Sequence, residues 1–378
     1  MTEDKNIYLA DTTDDHGKVN RYIDKFRGDS SLQFVPERLK LLLSYHYFKN
    51  TDLEALMAKY FGEKIPKIFI DSGGFSAATQ GVDIDIDAYC DWLKQYQSLI
   101  HVYANLDVIG DPEKTYEQQK MMEDRGLKPI PVFHTGEPVS WLERYIDEGY
   151  DYIALGGMVP YARDRKKLIQ WMSMCFKVAE DSGKEIGYHG FGMTNWDLMR
   201  AYPWKSVDSS SWCSGFRYGA VYLFDEKKGR FFQVQLRDIK KSYKYAEILR
   251  RYGFSPNDLA LEGEFDRVKV ASISALSFMK AEAWLNEKSQ SRRSLRRSPS
   301  VSGSTECDGN DEGSVPRSDG GSRGGDKDDS GLYLVTLPPM EKGSEHNPDS
   351  KWVGGTQMFD SFKNITSGEN DGSQTDTD

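Results

Sequence analysis

Eight short runs of apolar and β-branched residues recur before residue 210, most of them separated by a helix-length amphipathic stretch. They read "IYLA", "LKLLLSY", "KIFI", "IHVYANL", "PIPVFH", "YIALG", "IGYHGF" and "KSVD". Between them lie segments such as "DPEKTYEQQKMMEDRG", "PVSWLERYIDEG" and "DRKKLIQWMSMCFKVAEDSG", each ending in the glycine that often follows a helix. Strand and helix alternating eight times predict an α/β fold, a (β/α)8 TIM barrel. The second run is ambiguous, because "RLKLLLSYHYF" reads equally well as helix.

The chain supports one core of that size, with 38% hydrophobic residues among 378. Composition changes after Leu285, where "EKSQSRRSLRRSPSVSGSTECDGNDEGS" opens a stretch of Ser, Gly, Asp and Arg with little to bury. The expected division is therefore a barrel over 1–286 and a disordered tail over 287–378. "LYLVTLPPM" (residues 332–340) and "KWVGGTQMFDSF" are apolar islands in that tail, either docking segments for a protein partner or chance runs. Arg292, Arg293, Arg296 and Arg297 are open to two readings, phosphate contact or solvated linker. The net charge of −10 gives no global electrostatic attraction to nucleic acid and leaves only a local basic groove. Four scattered cysteines without a Cys-x-x-Cys pair, no apolar leader and no membrane-length apolar run predict a soluble cytoplasmic protein.

Strand ends carry the chemistry of a barrel. Here the third run ends in Asp71, the fourth reaches Asp107 in "ANLDVIGDP", and the fifth ends in His134 of "VFHTGEP". The sixth meets Gly156 and Gly157, the seventh "HGFG" with His189 and Gly190, and the eighth Asp208 of "SVDSSSW". Any one such aspartate is explained as well by capping of the next helix. Three on one rim beside paired glycines are not.

These residues resemble the tRNA-guanine transglycosylase superfamily from Asp71 to Trp212. "DSGGF" is similar to its Asp-Ser-Gly-Gly-aromatic signature, "LGG" to its base-binding turn, and "YHGFG" to its Gly-x-Gly loop. The ending "VDSSSWCSGFRYG" resembles more closely the phage DpdA-type 7-deazaguanine DNA transglycosylases. The resemblance implies exchange of guanine in DNA for a free 7-deazaguanine such as preQ0, in host cytoplasm if phage-encoded, without a cofactor. The same exchange on tRNA is the alternative, and a non-catalytic binding subunit a further one. By resemblance Asp208 is the nucleophile and Asp71 the general acid/base, the logic of a covalent glycosyl intermediate. Asp107 would read the guanine edge, Ser72, Gly156, Gly157 and Gly190 would border the base, and Phe75 would stack on it. His134 stands where the tRNA enzymes have a glutamine, and His189 where they have an apolar stacker. Arg217, in "SGFRYG", is a phosphate anchor or a loop ion pair. The family's zinc-binding Cys-x-Cys-x2-Cys…His cluster is missing, so no metal is expected.

Overall fold

The computed structural model describes residues 4–11, 15–26, 34–158, 164–213, 219–236, 243–259 and 267–297. Strand β1 (Asn6–Asp11) leads through α1 (Asp15–Ile23) to β2 (Lys40–Ser44), α2 (Tyr45–Phe48) and α3 (Leu53–Phe61). Next come β3 (Lys67–Asp71), α4 (Gly74–Thr79), α5 (Ile86–Gln95), β4 (Ile100–Tyr103) and α6 (Pro112–Asp124). Then follow β5 (Val132–His134), α7 (Val139–Asp147), β6 (Tyr152–Gly156), α8 (Arg165–Asp181), β7 (Gly187–Gly190), α9 (Trp196–Ala201) and β8 (Ser206–Ser209). The ambiguous second run resolves into both states: it is strand to Ser44 and helix from Tyr45.

The eight strands are parallel and form one sheet in the order β4-β3-β2-β1-β8-β7-β6-β5. Its two edges meet, since Ala104 bridges Ile130 and the Asn105 N–H donates to the Ile130 carbonyl at 3.0 Å. The chain is an α/β barrel of the TIM type. Among the described residues, five helices begin on a side-chain cap, from Asp52, Asp85, Asp111, Asp164 or Asn195. Asp71, Asp107 and Asp208 are not among them.

Inside the barrel, side chains alternate with period two. Tyr8, Leu42, Phe69, Val132 and Ala154 pack together as an inner core, with Phe191 against it. One step of two further along their strands lie Ser44, Asp71, His134 and Gly156, on the same inner side at the C-terminal mouth. The larger core lies between the sheet and the surrounding helices.

Two strands and two α-helices follow the barrel strands among the described residues. Antiparallel β9 (Ala220–Asp225) and β10 (Arg230–Gln235) form a hairpin, and α10 (Ala246–Arg251) precedes the long α11 (Arg267–Arg297). Glu282 of α11 accepts from the Ile7 N–H and from Lys40 Nζ, both at 2.6 Å. Asn286 exchanges two hydrogen bonds with the Lys5 backbone, at 2.8 and 3.0 Å. The expected boundary at 286 falls within this helix, whose backbone stays helical to Arg297. Residues 287–297, expected to be disordered, are instead the last turns of this helix, while 298–378, with both apolar islands, lie outside the described residues. Among the described residues no helix is long and apolar enough to cross a membrane.

Candidate active site at the barrel mouth

Asp71 ends β3, and its Oδ2 accepts the Gly73 N–H at 3.1 Å. Gly73 sits at φ +81°, and a Cβ there would lie 2.4 Å from Ser44 Oγ, so the turn admits glycine alone. The turn then opens α4, which carries half-buried Phe75 in its first coil. Ser72 Oγ accepts from the Gly74 N–H at 3.1 Å and donates to Asp107 Oδ1 at 2.9 Å.

Asp107 is the hub of a buried charged network. His134 Nε2 meets its Oδ2 at 2.9 Å, while His134 Nδ1 meets Glu137 Oε1 at 3.0 Å. The His134 N–H donates to the other Glu137 oxygen at 2.9 Å. Burial opposes charge on the imidazole, yet the bonds to Asp107 and Glu137 dominate and raise it to about 10. His134 is therefore an imidazolium at neutral pH, clamped between two carboxylates. Burial likewise pushes Asp107 up, but His134 and Ser72 outweigh it and leave the carboxyl below its usual range.

Asp71 goes the other way. Burial first, then the charges of Asp107 and Asp208, raise it to about 8, against the smaller pull of the Gly73 and Ser72 amides. Asp107 and Asp208 are both close enough to Asp71 for their charges to act on its carboxyl. The mouth thus holds one carboxyl that keeps its proton at neutral pH beside one that does not.

Asp208 is 6% exposed and accepts the Gly192 N–H on Oδ1 at 2.8 Å. Beneath it His189 lies fully buried, its ring 4.4 Å from Phe69 and 4.7 Å from Phe191. His189 Nε2 stands 3.4 Å from Asp208 Oδ1, too far for a strong hydrogen bond, while Nδ1 meets Ser206 Oγ at 2.5 Å. Ser206 in turn meets the Tyr152 hydroxyl at 2.5 Å. Burial, against the nearby Asp208, holds the His189 pKa down, so the ring is neutral. One tautomer suits this chain: Ser206 donates to Nδ1, and Nε2–H points to Asp208.

The glycines divide by what crowds them. Gly156 lies beside His134, where a Cβ would come 2.8 Å from the imidazole Cδ2. Gly157, at φ +70°, would strike Thr135 Oγ1 at 2.8 Å, and Thr135 donates to the Gly157 carbonyl. Gly190 has its open side toward the Trp204 ring, 3.0 Å from a Cβ, on the outer side of β7. Arg217 lies outside the described residues.

Of the residues expected from sequence, Asp71, Ser72, Asp107, His134, Gly156, His189 and Asp208 meet at one mouth. Glu137, Ser206 and Tyr152 were missed. Glu137 had one signal, its place three residues after His134 in "HTGEP".

No family model matches the sequence. No curated protein matches it either. Among solved structures, the carboxyl transferase domain of Rhizobium etli pyruvate carboxylase, solved with 3-bromopyruvate, is similar at 10% identity and a TM-score of 0.37. The likeness covers 75% of this chain and 48% of that one, so this chain spans about half the neighbour's length. At that score it bears on neither chemistry nor substrate.

Proposed function

We propose that the protein is a pentosyltransferase that exchanges guanine in DNA for a free 7-deazaguanine. The observation that carries this reading is the split protonation of carboxyls at one mouth, a proton-holding Asp71 beside an ionised Asp107. Base exchange needs this division of labour. The Asp208 carboxylate attacks C1′ and the glycosidic bond breaks, while the departing guanine takes the Asp71 proton. The covalent aspartyl-glycosyl enzyme then meets the 7-deazaguanine. Its ring nitrogen attacks C1′, gives its proton to Asp71, and releases the Asp208 carboxylate.

The remaining groups fit supporting roles. Each Asp107 oxygen already accepts one bond, from Ser72 or His134, which fixes the carboxylate plane. Each oxygen keeps a second lone pair for the N–H groups of a guanine edge. The Gly192 N–H steadies the Asp208 oxygen that is not attacking. The order of motifs from "DSGGF" to "SVDSSSW" supports the same reading.

The test is base exchange with guanine-containing DNA and with tRNA, each incubated with a free 7-deazaguanine and digested for nucleoside mass spectrometry. Exchange into DNA that vanishes in Asp208→Ala, with its circular dichroism unchanged, is the expected result. Exchange into tRNA alone would move the substrate to the alternative. Full activity in Asp208→Ala, or no exchange with either nucleic acid, would overturn the reading.

A further inference from the structure

Glu137 is buried beside the mouth, its side chain 4% exposed, and the base exchange proposed above gives it no task. A carboxylate out of water is costly unless it is bonded, and here both oxygens are bonded to one residue. Oε1 meets His134 Nδ1 at 3.0 Å, and Oε2 accepts the His134 backbone N–H at 2.9 Å. The turn between the two residues is shaped for this. Gly136 stands at φ +90°, and the Glu137 N–H returns to the His134 carbonyl at 3.3 Å.

The far side of the ring carries the consequence. His134 Nε2 donates to Asp107 Oδ2 at 2.9 Å, and Ser72 donates to Oδ1 at the same distance. Against these donors, burial pushes the Asp107 carboxyl up. The other titratable groups close enough to interact are Asp71 and Tyr89, neither of them a cation, and Asp208 in turn acts on Asp71. Tyr145 of α7 faces Glu137. The positive charge set against Asp107 is the one that Glu137 holds in place.

Whether this carboxyl carries a proton decides which base edge fits it. Guanine offers two adjacent N–H donors, N1–H and the 2-amino group, and needs a partner that only accepts. Adenine offers an acceptor at N1 beside an N6–H donor. That is the complement of a protonated carboxyl, which donates from one oxygen and accepts on the other. We propose that Glu137 is a positioning residue for base selection: by fixing the His134 ring against Asp107 it makes that carboxyl accept only, so the mouth takes a guanine edge and rejects an adenine edge. The inference rests on a guanine-type base entering this mouth, as in the base-exchange reading, and not on the exchange step.

Glu137→Gln isolates the charge. Its carbonyl oxygen faces the His134 backbone N–H, so its amide N–H faces Nδ1, which must then accept. The ring keeps Nε2–H on Asp107 but becomes neutral. Wild type and variant are dialysed against radiolabelled free guanine or adenine between about pH 6 and 8, with the His134 ring followed by NMR. Wild type should prefer guanine by about a hundredfold or more throughout. In the variant the ring should be neutral at about pH 8, and the preference should fall about tenfold or more at about pH 6, adenine binding rising as guanine binding falls. Gly156→Ala, whose added Cβ presses on the same ring, should narrow the preference in the same direction and decides the matter if Glu137→Gln does not fold. Unchanged preference in the folded variants overturns the inference, and so does a wild type that binds adenine as well as guanine. Binding of neither base by wild type removes the base-exchange reading together with this inference. Glu137-dependent preference for guanine without any exchange overturns the reaction alone and leaves the role of Glu137 standing.

Discussion

Asp71 carries the sharpest consequence at the scale of a single residue. It keeps its proton to about pH 8 in the fold, whereas an unfolded aspartate releases it near 4. Between those values the folded state binds more protons, so stability falls as pH rises and the loss is complete above about 8. His134 has the same sign: its contribution is full below about 6.5 and disappears as pH rises through about 10. Asp71→Asn removes the first cost. The variant should melt several degrees above wild type at pH 9 and much closer to it at pH 4, while losing base exchange. An equal offset at both pH values would show that Asp71 holds no proton. For the proposed reaction, activity should also decline as pH passes about 8, because the acid is then spent before the guanine leaves. Sequence revealed the aspartates because each closes an apolar run. It did not reveal Ser206, whose partners His189 and Tyr152 come near only in the folded chain, and it marked Glu137 only by its spacing from His134.

At the scale of elements, strand parity decides which terminal residues reach the mouth. Asp71 lies two residues beyond inward Phe69 and joins the site. Asp11 also ends a strand, yet Ala10 points inward, so Asp11 faces the helix layer and accepts the His16 N–H of α1 at 3.2 Å. That distinction was legible only in part, since parity needs a known inner face. The hairpin was not foreseen. "AVYLFD" and "RFFQVQ" are apolar but pair only once the turn at Gly229, φ +60°, brings them together. Gly156 gives a test of how closely strand and site are joined. A Cβ there would press on the His134 ring and strain its 2.9 Å contact with Asp107. Gly156→Ala should cost about 1–3 kcal/mol by overpacking. It should also lower the His134 pKa, measured by NMR titration of the imidazole. An unmoved titration with unchanged stability would mean the ring is free to shift.

For the whole molecule, the barrel was legible because its period changes from two to nearly four with each run, eight times over. The part played by α11 was not, because its anchor residues are far apart in the chain. Glu282 and Asn286 satisfy backbone groups of Ile7 and Lys5 that no strand pairs with. A chain ending at Lys288 keeps both anchors and should melt like the full protein. One ending at Ala281 loses both, together with the Trp284 bond to the Glu226 carbonyl, and should fail to fold cooperatively. Thermal unfolding followed by circular dichroism distinguishes them. Similar melting of the two chains would show that the clasp is dispensable.

That clasp also sets a timetable for synthesis. Asn286 emerges 281 residues after Lys5, which at ordinary translation rates of about 5–20 residues per second is roughly 14 to 56 seconds. Early in that interval β1 gains β2 as a neighbour, but β8 arrives late and the amide of Ile7 waits for Glu282. An unfinished strand edge is a template for pairing with another nascent chain. Slower growth at low temperature, or a chaperone that shields exposed edges, should therefore raise the soluble yield of the full protein more than that of a domain built from local contacts. The first strand made is the last to be finished.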